Sequence, residues 1–277
     1  MSGLTVWVQG VGLLGPGLDS WAASLAVLRG MQAHAFTPTA LPAPARLPPA
    51  ERRRSGPGVK LALAVADEAV TQAQADPATL ATVFTSSSGE GINCHLLCET
   101  LATPAPMVSP IRFTNSVHNA ASGCWHIAVA SRASSTSLCA FDGSFGAGLI
   151  EAATSVRISG EPVLLVASDS PYPEPLHATR PLPDHFGLAL LLSPVQSPQS
   201  LAKITIMLSG MDSVTAECED ASLDALRRAI PAAAALPLLV ALARGEPVQS
   251  LAIAYLPTMG LQLQLDPVAQ AALVEAL

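Results

Sequence analysis

The chain has 277 residues, with 14 Lys and Arg against 21 Asp and Glu, a net charge of −7 and a mean hydropathy of +0.42. Half of it is hydrophobic and 13% is charged, which excludes a disordered chain and leaves one large domain or two small ones, while the acidic balance excludes a general nucleic-acid binder. The longest strongly apolar uncharged run, Ala229–Ala243, is 15 residues broken by Pro231 and Pro237, short of the roughly 20 that a membrane-spanning helix needs.

The opening MSGLTVWVQG lacks the basic start of a signal peptide. Leu4–Gln9 alternates and reads as a strand, followed by a helix over Leu18–Leu28 with Asp19 and Ser20 in its first turn. Between them Gly10-x-Gly12-x-x-Gly15 matches the dinucleotide fingerprint. That chemistry needs the helix to begin inside the motif and an acidic residue about 20 positions on. Pro16 and Gly17 delay the helix and no acidic residue separates Asp19 from Glu51, so the glycines read as a wide turn. The stretch 37–57 holds six prolines and forms an irregular surface excursion. Its run Glu51-Arg52-Arg53-Arg54 reads as solvated surface, with docking of an acidic partner as the sharper alternative.

Residues 58–75 form a helix apolar nearly all round, hence buried on most sides. A strand over Ala81–Thr85 runs into Ser86-Ser87-Ser88-Gly89-Glu90-Gly91, and a helix follows over about 92–102. Cys94-His95-x-x-Cys98 lies on it; without a second ligand pair it reads as thiols buried on a helix, and no metal is expected. The five cysteines show no disulfide spacing, so a reducing cytoplasm is the expected setting.

Asn115 caps a predicted helix over about 116–131, and Ser134–Ala140 reads as a strand. Asp142-Gly143 then turns into a helix over 144–157. Asp142 suits the N-cap of that helix, whose dipole would hold it ionised and so a poor base. Ser144 in Asp142-Gly143-Ser144-Phe145-Gly146 could be a hydrolase nucleophile, but the first glycine of G-x-S-x-G is missing. The six histidines end at His185, whereas that fold wants one late in the chain. Pro162–Ala167, Phe186–Leu192 and Ala202–Leu208 read as strands. Helices near 221–230 and 234–244, a hairpin (Leu251–Tyr255 with Leu261–Leu265) and a final short helix complete the chain. Alternating strands and helices argue for a layered α/β fold, with the apolar helices 58–70 and 144–157 sandwiched between sheets.

The opening TVWVQGVGLLGPGLDSWAASLAVLRG resembles that of β-ketoacyl synthases, which carry V-x-G-x-G-x-x-S-P-x-G there. VKLALAVADEAV, ATVFTSSSGEG, SPIRFTNSVHNAASG and RASSTSLCAFDGSFGAGLIEAATSVRISGEPVLLVAS follow the same proteins in order, over about residues 4–210. The resemblance implies a thiolase-like αβαβα fold, with a ketosynthase-like N-terminal half (1–197) and a reduced C-terminal half (198–277) in one compact domain. Active members carry a cysteine at the elbow in A-C-[ST]-[SAT]. Here the elbow position counts to Asp142, and Cys139 falls earlier, inside the strand. Active members also draw two histidines from the C-terminal half, and residues 186–277 hold none. No catalytic residue is therefore assigned: condensation needs a thiolate and a polarising pair, and both are missing.

A ketosynthase-like chain without its nucleophile resembles a chain-length factor, in wording closest to the shortened type of aryl-polyene and related pigment pathways. Such a subunit replaces one half of a ketosynthase dimer and closes the partner's acyl channel. By that resemblance Ser135, Thr136, Ser137, Leu138, Cys139 and Ala140 form the interface strand, and Arg112, Phe113, His118 and Trp125 line the channel. The expected partner is an active ketosynthase in a heterodimer, with an acyl carrier protein met indirectly; no cofactor is expected. The alternative is a homodimeric acyl-binding scaffold with a vestigial pocket.

Overall fold

A computed structural model describes residues 3–210 and 215–268. In chain order the elements are β1 (Leu4–Leu14), α1 (Trp21–Leu28), α2 (Pro49–Arg54), α3 (Pro57–Gln72), β2 (Ala81–Thr85), α4 (Gly91–Leu101), α5 (Pro110–Thr114), α6 (Ala120–Ala128) and β3 (Ser135–Leu138). After a 3-10 turn at Phe141–Gly143 come α7 (Ser144–Ser159), β4 (Val163–Asp169), α8 (Leu176–Thr179), β5 (Phe186–Ser193), β6 (Ala202–Gly210) and α9 (Ala221–Ala229). A second 3-10 turn (Pro231–Ala235), α10 (Leu236–Arg244), β7 (Val248–Leu256) and β8 (Met259–Pro267) complete it. The final short helix read from the sequence lies outside the described residues.

The strands form one eight-stranded sheet in the order β3-β2-β4-β5-β1-β6-β8-β7. β2 runs parallel to β3 and β4, and the other pairs are antiparallel. β1 joins the two ends of the molecule: Leu4–Val8 pair with β6 and Trp7–Leu14 with β5, with a shift of register between Val8 and Gly10. The helical layer is there in α7, whose one side packs on β2 and β4 while Gly146 touches Ala254 and Tyr255 of β7. The strands on its two sides belong to the same continuous sheet. α3 differs from its expected place: it lies on the opposite face, in a core with Leu164, Val166, Ala189 and Leu191, and its far side is closed by Leu47 and Trp125.

Gly10 and Gly12 form no wide turn but belong to β1. A Cβ on them would stand 2.1 Å from the Ala69 carbonyl and 1.9 Å from that of Val65, so their bareness is what lets α3 lie on the strand. Where β1 has run past β6, its free N–H groups go to α3 side chains: Val11 to Gln72 Oε1 (2.7 Å) and Leu13 to Glu68 Oε2 (2.9 Å). Glu68 Oε1 also accepts from Trp21 N–H at 2.7 Å, tying the start of α1 to the same helix.

Candidate functional site

The site gathers at one end of β2, β3 and β4, where loops leave for α4, α7 and α8. The elbow follows β3. Phe141 stands at its tip with φ +52°, a strained left-handed backbone that a nucleophile elbow gives its reactive residue. The tip is thus one residue before Asp142, the position counted from the sequence, and its side chain is a phenyl ring. A Cβ on Gly143 would stand 1.8 Å from the Tyr255 carbonyl, so β7 closes the elbow from behind.

Asp142 is not the cap of α7. Gly143 holds that position without a side-chain bond, while Asp142 is 66% exposed and ion-paired to Arg180. The 3-10 turn carries the carboxylate one residue too early to reach the first free N–H groups of the helix. The Arg180 guanidinium also lies 3.7 Å above the Phe141 ring centroid. Ser144 is the side chain that locks the elbow. Its hydroxyl accepts from Ala140 N–H (3.0 Å) and donates to the Phe141 carbonyl (2.7 Å), with the Ser86 carbonyl at 3.1 Å. At 2% exposure and with its hydrogen bonds committed, it offers no nucleophile for the hydrolase alternative.

Two carboxylates that the sequence reading did not single out hold the floor. Buried Asp169, ending β4, accepts from Ser87 N–H (2.7 Å) and Ala232 N–H (2.8 Å), and burial pushes its carboxyl up against those bonds and the pull of Arg180. Glu90 accepts from Val59 N–H at 2.8 Å, at the positive end of α3, and burial likewise raises it. Both follow a Ser-rich or strand-end pattern in which only the fold reveals burial.

Of the expected interface residues, Ser135, Thr136, Ser137 and Leu138 form β3, which among the described residues pairs with β2 alone, at the outer edge of the sheet. Exposed Ser135 accepts from Thr82 Oγ1 (2.8 Å), and half-buried Ser137 bonds to Ser122 Oγ (3.0 Å). Cys139 and Ala140 have already left the strand. Cys139 is exposed and its Sγ stands 3.5 Å from His118 Nδ1, a correction to its expected place inside the strand. The expected helix 116–131 is shorter, α6 over Ala120–Ala128: Asn115 ends α5 instead of capping the next helix, and residues 116–119 form a break between the two.

That break separates the expected channel residues. Arg112 is half-buried on α5, its carbonyl accepting from Asn93 Nδ2 at 2.7 Å, and Phe113 beside it is 67% exposed. His118 lines a narrow cavity of about 40 Å3 with Phe84, Ser86, Glu90 and Leu138. Trp125 is fully buried in the core under α3. Its helix turns the indole inward, because the apolar face of α6 must be covered. The exposed side chains of α5, α6 and the elbow include the apolar Ile111, Phe113, Val117, Ile127 and Phe141, among polar ones such as His118 and Asp142.

Elsewhere, Cys94 and Cys98 are exposed on α4 instead of buried. Arg52 is part of the fold, donating to the Ala45 (2.8 Å) and Leu47 (3.0 Å) carbonyls. Among the described residues no three His, Cys, Asp or Glu converge as metal ligands, and no helix is long and apolar enough to cross a membrane.

The profile of the family described as "Beta-ketoacyl synthase, N-terminal domain" matches residues 26–244. No curated protein matches the chain. Similar solved structures include a chain of the ketosynthase (ApeO) in complex with its chain length factor (ApeC) from Xenorhabdus doucetiae. It is 22% identical with a TM-score of 0.71, over 94% of this chain and 99% of that one. A chain of the ishigamide ketosynthase/chain length factor is 14% identical with a TM-score of 0.69, over 96% and 100%. A chain of the AntDE:AntF assembly, a type II acyl-carrier protein in complex with its ketosynthase, is 11% identical with a TM-score of 0.73, over 95% and 99%.

Proposed function

Because the chain belongs to the β-ketoacyl synthase family and has its thiolase-like fold, we propose that it is a non-condensing partner subunit of an active ketosynthase. The observation that carries this reading is the elbow. Phe141 stands at the tip, Asp142 is tied to Arg180, Ser144 is buried, and the sequence has no histidine after His185. A phenyl ring cannot hold an acyl group, and the two imidazoles that active members draw from the C-terminal half to polarise a malonyl carbonyl are not there. The exposed edge of β3, together with the exposed apolar side chains of α5, α6 and the elbow, supports a partner at that edge, since an unpaired strand is a template for another chain. In this reading Phe113 and Phe141 end the partner's acyl channel and limit product length, in a fatty-acid- or polyketide-like pathway.

Co-expression with a cysteine-bearing ketosynthase from the same gene neighbourhood tests it. A 1:1 complex that extends acyl chains is expected, with longer products when Phe113→Ala enlarges the channel end. A stable homodimer that ignores the ketosynthase would favour the acyl-binding scaffold instead. Release of a lengthened β-keto product by this chain alone would overturn the proposal.

A further inference from the structure

Cysteine is among the residue types most often buried, yet Cys94 and Cys98 both stand exposed on α4. Spaced i and i+4, they lie one above the other on the same face of the helix, with Cβ atoms about 5–6 Å apart. The helix beneath them is fixed. Leu97 is buried on its inner face, Thr100 Oγ1 donates to the Leu96 carbonyl at 2.8 Å, and Asn93 Nδ2 ties it to the Arg112 carbonyl of α5 at 2.7 Å. The two thiols also feel each other: slight burial pushes the Cys94 thiol up, and Cys98 beside it adds to that.

A disulfide asks for Cβ atoms about 3.5–4.5 Å apart, so an intact turn of α4 keeps these sulfurs from bonding to each other. A metal ion between them is a different case. With metal–sulfur bonds of about 2.3 Å, two thiolates in line with an ion stand about 4.6 Å apart, a span that rotation about the two Cα–Cβ bonds reaches without unwinding the helix. Zinc wants four ligands. Among the described residues no third His, Cys, Asp or Glu converges on the pair, and the neighbouring His95 is held by Glu99 at 3.2 Å. The want of a second ligand pair, which excludes zinc, is no bar to a soft ion content with two thiolates, and thiolates select copper(I).

We propose that Cys94 and Cys98 form a two-coordinate copper(I) site on α4. Two S–H protons leave to solvent as two S–Cu bonds form. The ion arrives as copper(I) and stays copper(I), so no electron moves and no oxidant or reductant is needed. The inference stands apart from the partner-subunit reading, because nothing in it depends on which chain meets β3.

The experiment loads the full chain, reduced and kept from air, with copper(I) from its complex with a chromophoric chelator, whose colour change counts the metal transferred. One copper(I) per chain is expected, with two sulfur neighbours in its X-ray absorption spectrum. Cys94→Ser and Cys98→Ser should each weaken binding by at least about a hundredfold, the low end of the roughly 10²–10⁴ gained by joining two contacts in one molecule. Both positions are exposed, so neither substitution should move the folding midpoint. Cys139→Ser, at the other exposed thiol, should leave copper binding unchanged, and zinc offered in place of copper should stay with its chelator. Copper held undiminished by either single Ser variant, copper lost with Cys139 instead, or a zinc affinity equal to that for copper would overturn the inference.

Discussion

The two edges of the sheet are finished differently. β7 pairs with β8 through two breaks in register, at Val248/Leu251 and Ala254/Leu256, and it carries exposed Gln249 and Ser250. Bulges and polar residues are how an edge avoids pairing with another chain. β3 has no bulge, although Ser135, Thr136 and Ser137 are polar. Its four residues run in unbroken register on β2, and Ile111, Phe113, Val117, Ile127 and Phe141 stand exposed along α5, α6 and the elbow. One edge is bulged and polar; the other, among the described residues, is left unpaired on its outer side.

The contrast extends inward, and the largest expected effect tests it there. Trp125 and Phe113 are 12 residues apart, yet Trp125 is wholly buried and Phe113 is 67% exposed. Trp125→Ala should cost about 3–5 kcal/mol of folding stability, as large-to-small core changes do, read as a lowered denaturant midpoint. Phe113→Ala should leave that midpoint within about 0.5 kcal/mol. Equal costs would mean that the region around β3 is not divided into a locked interior and a free exterior.

How much of this was legible follows the same division. Strands such as Ala81–Thr85 and Phe186–Ser193, and the buried helix α7, were readable because apolar runs between turn residues leave few alternatives. The direction of a side chain at the end of an element was not. Asp142 was read as a cap because Asp before a helix usually is one, but the 3-10 turn gave it to Arg180. Cys139 lies past the strand because β3 stops at Leu138, two residues before the end that the run Ser134–Ala140 suggests. Trp125 stood among the channel residues only by resemblance, and no local pattern tells which face of its helix meets the core under α3. Gly10 and Gly12 were seen at once, but their reason, the carbonyls of Val65 and Ala69, lies about 55 residues on and no local pattern encodes it.

A charge at each edge sharpens the comparison next. Phe113→Asp places a carboxylate among the exposed apolar side chains of α5, and Gln249→Asp places one on the bulged edge of β7. Both sites are exposed, so neither should move the folding midpoint by more than about 0.5 kcal/mol. Only the first should weaken the complex with a ketosynthase, by about tenfold to a hundredfold, because a buried unpaired charge is costly where a solvated one is not. Co-elution in size-exclusion chromatography and titration calorimetry would read the difference. If Gln249→Asp weakened the complex and Phe113→Asp did not, the partner edge would be the other one.

The smallest effect concerns Glu90, which anchors the site beside β3 from below. Its carboxyl is pushed up by burial, against the Val59 and Gly58 N–H groups that favour its charge. A folded-state value above the unfolded one, ordinarily about 4.3, means that between the two the folded chain binds more protons than the unfolded. Stability from this group is therefore full below the ordinary carboxylate range and is lost as pH rises through the raised value. Glu90→Gln keeps an oxygen for Val59 N–H at the start of α3 but cannot ionise. Its stability should fall less steeply than that of the unsubstituted chain as pH rises above about 4.3, a difference to be read from urea midpoints across that range. Asp169 and Glu68 are raised by burial in the same direction and stay in place, so part of the slope persists. A Glu90→Gln chain that lost stability faster as pH rose would mean that the N–H groups of α3 outweigh burial at this carboxylate.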